Sequence, residues 1–315
     1  MGFAAPLSGV VAAMGKDALA AVEDVLGGRL ALRVEDDRCS PDGGEAAARA
    51  LADDPAILGV VGHYCTLAAL AALDVYERAG LPILIWGAHR PDVMARPRPG
   101  LFRLCASFEE ENATLARLAR ARGLTRVAFV GDGTGYATTH ADLFARAFVA
   151  AGGAIVPRDA GPDALHLAIA PLGWWKAFKG AKPADAPDTA GELLRLRADG
   201  CRGAILSAAA VRIDEDTRAR AGGAADGVVC VSESHAPVDG GLARYPAYAA
   251  DGVALLADLI AEGADSRAKL AAAIAAQRRT GRTGSLAFAP DGRRERVELP
   301  SFECRDGAWH GLPAP

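Results

Sequence analysis

Short apolar runs alternate with amphipathic stretches along most of the chain, which is typical of strands and helices in turn. Leu19, Val22 and Leu26 lie on one helical stripe, and a glycine pair ends that helix. Residues 30–34 follow as a strand. Further predicted helices cover 45–52, 67–79, 112–122, 138–151, 190–198 and 245–262, and further predicted strands cover 57–61, 81–85, 126–130, 154–157, 203–207 and 227–231. This order predicts an α/β protein whose parallel sheets are flanked by helices.

The length of the chain indicates two domains. At 315 residues it exceeds the usual size of one domain, and each half can bury a core of its own. The acidic stretch Glu109–Glu111 separates two series of strands and helices, so we expect a second lobe to begin near Ser107. Residues 159–190 are rich in Pro, Gly and Ala, and we interpret them as an irregular insertion.

Composition and charge argue against two classes of partner. Hydrophobic residues make up 51% of the chain, but no apolar run approaches the ~20 residues of a membrane-spanning helix. The net charge is -4 with acids and bases interspersed, which provides neither a basic face for nucleic acid nor a polybasic membrane patch. We therefore expect no nucleic-acid partner. Residues 2–7 already resemble the end of a strand and no signal peptide is visible, as in an intracellular protein or an exported one whose leader has been removed.

The loops that follow the strands are the expected ligand-binding region. In an open parallel sheet the carboxyl ends of the strands point their loops into one crevice, where ligands bind. The candidate loops are 6–16, 63–67, 86–91, 131–138, 208–213 and 232–237.

The glycine-rich segment 131–137 lies between a strand and a helix, where a dinucleotide fingerprint would stand. Tyr136 occupies the third glycine position, so the fingerprint fails. No glycine-rich loop ending in Lys-Ser or Lys-Thr is present for nucleotide phosphates. We expect no cofactor.

Cys65 raises the alternative of a cysteine nucleophile. Such a thiolate needs a base, and His63 or His89 could serve, although a structural cysteine explains the same residues. The six histidines are scattered, and no Cys-x-x-Cys or His-x-x-x-His pair occurs. We therefore expect no metal site.

Two residues at strand ends could contact a ligand or serve only the fold. Thr66 precedes a helix, so its hydroxyl can cap that helix while the first backbone N–H groups face the crevice and attract an anion. The alternative is a cap with no ligand. Glu233 could pair with a bound ammonium group, or be a solvated loop acid.

Four segments together resemble a known family of receptors. They are Pro6-Leu7-Ser8-Gly9, Val34-Glu35-Asp36-Asp37-Arg38-Cys39, Gly62-His63-Tyr64-Cys65-Thr66 and Val75-Tyr76-Glu77-Arg78-Ala79-Gly80-Leu81-Pro82-Ile83. In order and spacing they closely resemble the periplasmic branched-chain amino-acid-binding (Leu/Ile/Val-binding) family, the type I solute-binding proteins of ABC transporters. The resemblance is specific over residues 3–157 and vague beyond them.

The resemblance implies a two-lobed fold, each lobe a parallel sheet flanked by helices, joined by three hinge crossings. It places lobe 1 at 1–106 plus 237–291, and lobe 2 at 107–236 plus 292–315. It also implies a periplasmic, non-enzymatic, monomeric protein that closes on a small ligand and delivers it to a membrane permease. A ligand-sensing domain of a regulator is a further alternative for such a fold.

The same resemblance implies a disulfide between Cys39 and Cys65. Such a bridge would add roughly 3 kcal/mol by the chain-entropy model and would indicate export to an oxidising compartment. We expect the other cysteines to be buried, reduced and structural. These are Cys105, Cys201, Cys230 and Cys304.

The resemblance also assigns ligand contacts. It implies that the carboxylate is held by the hydroxyl and N–H of Thr66, helped by His89. The ammonium group would meet the Gly87 carbonyl and Glu233. Tyr136 would cover the ligand. Met14 and Tyr64 would line the pocket for the ligand's side chain.

Three positions depart from the family pattern. Family members favour Thr at His89, a small residue at Trp86, and often an aromatic residue near Ala210. We therefore expect a rebuilt pocket, with Trp86 on one wall and Ala210 on the other. An aromatic or aliphatic carboxylate without an amino group is the alternative ligand, stacked on Trp86 or Tyr136. Trp86 could instead belong to the core.

Overall fold

The chain forms two units that are discontinuous in sequence. A computed structural model describes residues 1–9, 11–169, 188–208, 219–231, 244–297 and 299–313. Unit 1 comprises Met1–Ser107 and Pro237–Glu298, and unit 2 comprises Phe108–Ala236 and Leu299–Pro315. The chain therefore passes from one unit to the other three times.

Unit 1 contains a parallel sheet of five strands. The strands are β1 (Gly2–Ala5), β2 (Arg33–Asp36), β3 (Val60–Val61), β4 (Ile83–Ile85) and β5 (Leu101–Arg103). Their order in the sheet is β2-β1-β3-β4-β5, and every pairing is parallel. All five carboxyl ends therefore lie at one edge of the sheet, which is where the loops expected to bind ligand begin.

Helices cover both faces of this sheet. They are α1 (Ala12–Leu26), α2 (Pro41–Ala52) and α3 (Thr66–Arg78), followed after the second crossing by α7 (Arg244–Ala261) and α8 (Arg267–Ala276). Successive residues of β1 point to opposite faces: Phe3 packs with α1 and α7, and Ala4 packs with α2 and α3. This two-residue alternation gives each face its own apolar core.

Helices α2 and α3 touch backbone to backbone. A side chain on Gly44 would lie 2.2 Å from the carbonyl oxygen of Ala68, so only glycine fits at this contact. Ser40 caps α2 by accepting a hydrogen bond from the Gly43 N–H at 3.1 Å, and Pro41 stands in its first turn. The two helix starts are thereby held side by side at the carboxyl edge of the sheet.

Unit 2 contains a seven-stranded mixed sheet. Its strands are β6 (Arg126–Gly131), β7 (Ala154–Ile155), β8 (Ala164–Ala168), β9 (Ala204–Ala208), β10 (Val228–Val231), β13 (Ser301–Arg305) and β14 (Ala308–Leu312). The order is β14-β13-β10-β9-β8-β6-β7, parallel from β10 to β7 and antiparallel at β13 and β14. The helices described in this unit are α4 (Phe108–Ala121), α5 (Gly135–Ala150) and α6 (Thr189–Ala198).

Strand β8 corrects the interpretation of residues 159–190 as an irregular insertion. Residues 164–168 are a fully buried strand between β6 and β9, and α6 begins at Thr189. The segment Ala-Leu-His-Leu-Ala contains no β-branched residue, so its strand propensity is low, and burial within the sheet determines its conformation. Residues 170–187 lie outside the described residues.

The third crossing follows Glu298, later than the expected boundary after residue 291. The reason is Arg294, a buried residue of unit 1 that donates hydrogen bonds to the Leu104 carbonyl at 2.9 Å and to the Thr283 carbonyl at 2.9 Å. The Arg103 N–H also donates to the Gly292 carbonyl at 2.9 Å. These bonds hold residues 292–294 to the end of β5. The hairpin formed by β11 (Thr280–Gly281) and β12 (Gly284–Ser285) precedes them.

Among the helices in the described ranges, none has the length and apolar character needed to cross a membrane.

Candidate functional site

The turn Gly62–Thr66, here called the anchor turn, leads from β3 into α3. The N-cap of α3 is Cys65, which is extended and makes no side-chain capping bond, and Thr66 is the first helical residue. The prediction that the Thr66 hydroxyl caps this helix is therefore wrong. The first intrahelical bond runs from the Ala69 N–H to the Cys65 carbonyl at 3.0 Å. The N–H groups of the residues before Ala69, including those of the half-buried Thr66 and Leu67, therefore have no acceptor within the helix.

A disulfide joins Cys39 to Cys65, as the resemblance implied. It links the loop after β2 to the anchor turn. The enzyme alternative loses its nucleophile here, because a disulfide sulfur is not a thiolate. The thiols of Cys105, Cys230 and Cys304 are buried, whereas Cys201 is half-buried rather than buried as expected.

Gly87 lies directly against Tyr64. A side chain on Gly87 would lie 2.5 Å from Cδ2 of Tyr64, and the Gly87 N–H donates to the His63 carbonyl at 3.2 Å. The loop after β4 therefore packs on the anchor turn with no space for a larger residue. Burial raises the pKa of Tyr64, so its hydroxyl remains protonated.

Trp86 belongs to the core of unit 1, which corrects its assignment to a pocket wall. The indole is fully buried, stacks on Phe3 with ring centroids 6.2 Å apart, and lies 5.3 Å from the Tyr64 ring. Its Nε1–H donates to the Ala4 carbonyl at 3.4 Å. The indole thus packs between Phe3 and Tyr64 and supports the Tyr64 ring from within the core.

His89 is a neutral buried residue. Burial, together with the smaller effect of the nearby positive charge of Arg103, lowers the pKa of His89 to about 3, although a hydrogen bond with the Ala106 backbone acts in the opposite direction. At neutral pH the imidazole therefore carries no charge. It can contribute a hydrogen bond or a ring surface to a ligand, but no ion pair.

Tyr245 is a neighbour of these residues that sequence reasoning missed. Its ring meets the Tyr64 ring edge-on at 5.4 Å and the His89 ring edge-on at 5.2 Å. Tyr245 lies in the first turn of α7, just after the second crossing. Tyr245 stands at a helix start after a crossing and not in a loop after a strand, so the rule that ligands bind at the carboxyl ends of strands does not point to it.

Tyr136 stands in the first turn of α5 in unit 2. The helix is capped by Thr134, whose hydroxyl accepts a hydrogen bond from the Ala137 N–H at 3.2 Å. The half-buried Tyr136 ring lies 4.4 Å from His140 and 5.7 Å from Phe108. These contacts fix the ring at the carboxyl edge of the unit 2 sheet.

The remaining expected site residues divide into two groups. Met14 is half-buried on α1 and packs against the unit 1 core. Ala210 and Glu233 lie outside the described residues. In unit 1 the fold thus brings together Tyr64, Thr66, Gly87 and His89 at the carboxyl edge of the sheet.

Comparisons with known proteins give the family and the fold. Residues 1–170 match the family model described as "Periplasmic binding protein". An amino acid binding protein of Pseudomonas aeruginosa is 31% identical over 121 residues, which cover 35% of this chain and 32% of that protein. The match thus spans about a third of the length of this curated relative.

Solved structures give the fold. An ABC transporter substrate-binding protein from Desulfitobacterium hafniense in complex with Leu has a TM-score of 0.77 at 20% identity, covering 99% of each chain. A solute-binding protein of an ABC transporter from R. palustris, in complex with 4-hydroxybenzoate, has a TM-score of 0.74 at 17% identity, covering 99% of this chain and 94% of that one. The fold is therefore that of the type I periplasmic binding proteins.

Proposed function

Because the chain belongs to the periplasmic binding protein family, we propose that it is the solute receptor of an ABC importer and binds a small ligand through a carboxylate group. The family's proteins bind solutes and are not enzymes. The observation that carries the choice of a carboxylate is the anchor turn, where α3 begins without a side-chain cap.

The start of α3 suits an anion. N–H groups before the first intrahelical bond point along the helix axis, and the helix dipole adds partial positive charge there. The Thr66 hydroxyl supplies a further donor beside them. Thr66 and Leu67 are only half-buried, so the start of α3 is not closed off by the core. A carboxylate with its two oxygens would accept from the hydroxyl and from the backbone together.

The rest of the proposed site distinguishes an amino acid from other acids. The Gly87 carbonyl and Glu233 would receive an ammonium group, and the neutral His89 would add a hydrogen bond to the carboxylate. Tyr64 and Met14 would line the side-chain pocket from unit 1. Tyr136 and Ala210 would contribute from unit 2. Trp86 would act indirectly, by supporting Tyr64.

A carboxylate without an amino group is the second candidate ligand. The aromatic set of Tyr64, Tyr245 and His89 favours it, because these rings offer faces and edges to a planar acid. The R. palustris neighbour with 4-hydroxybenzoate is a protein of this fold with such a ligand.

We further propose that the protein works in the periplasm as a monomer and hands its ligand to a membrane permease. The Cys39–Cys65 disulfide supports an oxidising compartment. A ligand that binds the closed arrangement more tightly than the open one would increase the closed population, and the permease would recognise that arrangement. A ligand-sensing role would use the same site with a different output.

A thermal-shift screen tests the function. L-amino acids, aliphatic carboxylates, benzoate and 4-hydroxybenzoate are added separately to the oxidised protein. A ligand that binds only the folded state raises the melting temperature by mass action. We expect the melting temperature to rise with at least one carboxylate and to stay unchanged with the amide of the same compound. If an uncharged solute is the only compound that raises the melting temperature, the carboxylate proposal is wrong.

The anchor assignment has its own variant. Thr66→Ala should weaken binding of the compound found by about 1 to 3 kcal/mol, because a charge-assisted hydrogen bond is lost. Thr280→Ala, at an exposed position on β11 outside the candidate loops, is the matched control and should bind normally. Equal affinity of Thr66→Ala and wild type in calorimetric titration would reject Thr66 as the anchor.

A further inference from the structure

A chain of three buried polar side chains lies behind the anchor turn and takes no part in the proposed ligand contacts. Nδ1 of His63 lies 2.7 Å from Oδ2 of Asp37, and Nε2 of His63 lies 3.1 Å from the Tyr76 hydroxyl. All three side chains are buried, the first two completely. We call Asp37, His63 and Tyr76 the polar brace.

The brace is hydrogen-bonded along its length. Asp37 accepts from the Cys39 N–H at 2.9 Å through Oδ1, so its second oxygen is left for His63. A short contact between a carboxylate and Nδ1 places a proton on that nitrogen, and Nε2 of a neutral ring then accepts from the Tyr76 hydroxyl. Burial raises the pKa of Tyr76, which keeps that hydroxyl a donor. Every polar atom that forms the chain thus has a complementary partner.

The brace connects the same loops as the disulfide. Asp37 belongs to the loop after β2, His63 to the anchor turn, and Tyr76 to the last turns of α3. The disulfide joins the first two of these elements through Cys39 and Cys65, each two residues further along the chain. The anchor turn therefore has a covalent and a noncovalent connection to the β2 loop, and only the brace continues into the body of α3.

We propose that the polar brace positions the anchor turn, and that it holds the turn in place when the Cys39–Cys65 disulfide is absent. Asp37, His63 and Tyr76 are then positioning residues, acting on the ligand through the turn. The importance of the turn for binding rests on the proposed function, but the positioning itself does not.

Site-resolved amide exchange tests the proposal without a ligand, so its failure is distinguishable from failure of the proposed function. Two amides report on the turn: Gly87, bonded to the His63 carbonyl, and Ala69, bonded to the Cys65 carbonyl. A third, Val60, is bonded to the Pro82 carbonyl inside the sheet and reports on unit 1 as a whole. Rates are compared for wild type, His63→Ala, His63→Asn and the double variant Cys39→Ala, Cys65→Ala.

In His63→Ala we expect Gly87 and Ala69 to exchange about tenfold faster, while Val60 changes less than about twofold, because local opening is separable from global unfolding. His63→Asn keeps a side-chain N–H that can reach Asp37 and should restore much of the protection. In the double cysteine variant the exchange rates of Gly87 and Ala69, each divided by its wild-type rate, should stay within about threefold of the same ratio for Val60. His166→Ala, which removes another buried histidine from unit 2, should leave all three unchanged.

Three results would overturn the proposal. The first is that, relative to Val60, the turn amides exchange as fast in the double cysteine variant as in His63→Ala. The second is that all three amides accelerate equally in His63→Ala, and the third is that His63→Ala changes none of them. Should His63→Ala fail to fold, Tyr76→Phe replaces it, since only one hydroxyl is removed. Its turn amides should then exchange about threefold faster with Val60 unchanged, and equal rates at all sites would reject the brace.

Discussion

The imidazole of His166 stacks on the ring of Phe144 with centroids 4.6 Å apart, fully buried on strand β8. The Phe129 ring meets it edge-on at 5.3 Å. Burial in these surroundings lowers the pKa of His166 to about 3 from the usual 6.5. The folded protein therefore keeps this side chain neutral in a range where the unfolded chain takes up a proton.

The first prediction is a loss of stability in acid caused by His166. Above about pH 6.5 neither state binds the proton, whereas below it the unfolded state gains about 1.4 kcal/mol per pH unit until the folded pKa is reached. Between about pH 7 and about pH 4.5, the free energy of unfolding of wild type should fall by about 2 to 3 kcal/mol more than that of His166→Phe. Urea unfolding at both pH values measures this. The exposed His310→Gln is the control, and identical pH dependence of wild type and His166→Phe would contradict the prediction.

The second prediction concerns the close contact of Gly87 with Tyr64. Gly87→Ala should lower the free energy of unfolding by about 1 to 3 kcal/mol, because its Cβ would overlap the Tyr64 ring and the anchor-turn backbone. Gly135→Ala is a matched control, since a Cβ there meets nothing within 4 Å. A cost for Gly87→Ala no larger than that for Gly135→Ala would show that the two loops are apart in solution.

The third prediction tests Trp86 as a core residue. Trp86→Ala should destabilise the protein by about 3 to 5 kcal/mol, since it empties a buried site beside Phe3 and Tyr64. Trp309→Ala, at a half-buried position in unit 2, should cost less. If equilibrium unfolding gives a cost below about 1 kcal/mol for Trp86→Ala, the indole faces solvent or ligand after all.

The fourth prediction is a thiol count. Denatured without reductant, the protein should show four reactive thiols, and six after reduction, because Cys39 and Cys65 are joined. Replacing both by Ala should lower the free energy of unfolding by about 3 to 4 kcal/mol, since the bridge spans 26 residues. Six thiols before reduction would contradict the bridge.

The class of fold could be predicted from the sequence because apolar periodicity records which faces are buried. In unit 1 most predicted helices and strands are found within a few residues of their expected positions, and Phe3 and Ala4 show the alternation directly. Strand β8 could not be predicted in the same way. Its Ala and Leu residues suit a helix as well as a strand, and only its neighbours β6 and β9 decide between them.

The site was less accessible to sequence reasoning. The Cys39–Cys65 bridge followed from a resemblance, not from spacing. The burial of Trp86 and the neutrality of His89 depend on side chains distant in sequence, including Phe3 and Arg103. The position of Thr66 inside rather than before α3 differs by one residue from expectation, which is the usual error of a predicted helix boundary.

The hydrogen bonds from Arg294 to the Leu104 and Thr283 carbonyls limit where the chain can be truncated without destabilising unit 1. A fragment that stops before Gly292 would remove the guanidinium that bonds one carbonyl just after β5 and another in the β11–β12 hairpin, although strands β13 and β14 belong to the other unit. Expression of the first unit alone therefore requires residues 1–107 spliced to 237–298, with a linker in place of the excised middle. A simple amino-terminal half would lack α7 and α8 and expose the apolar face beneath them.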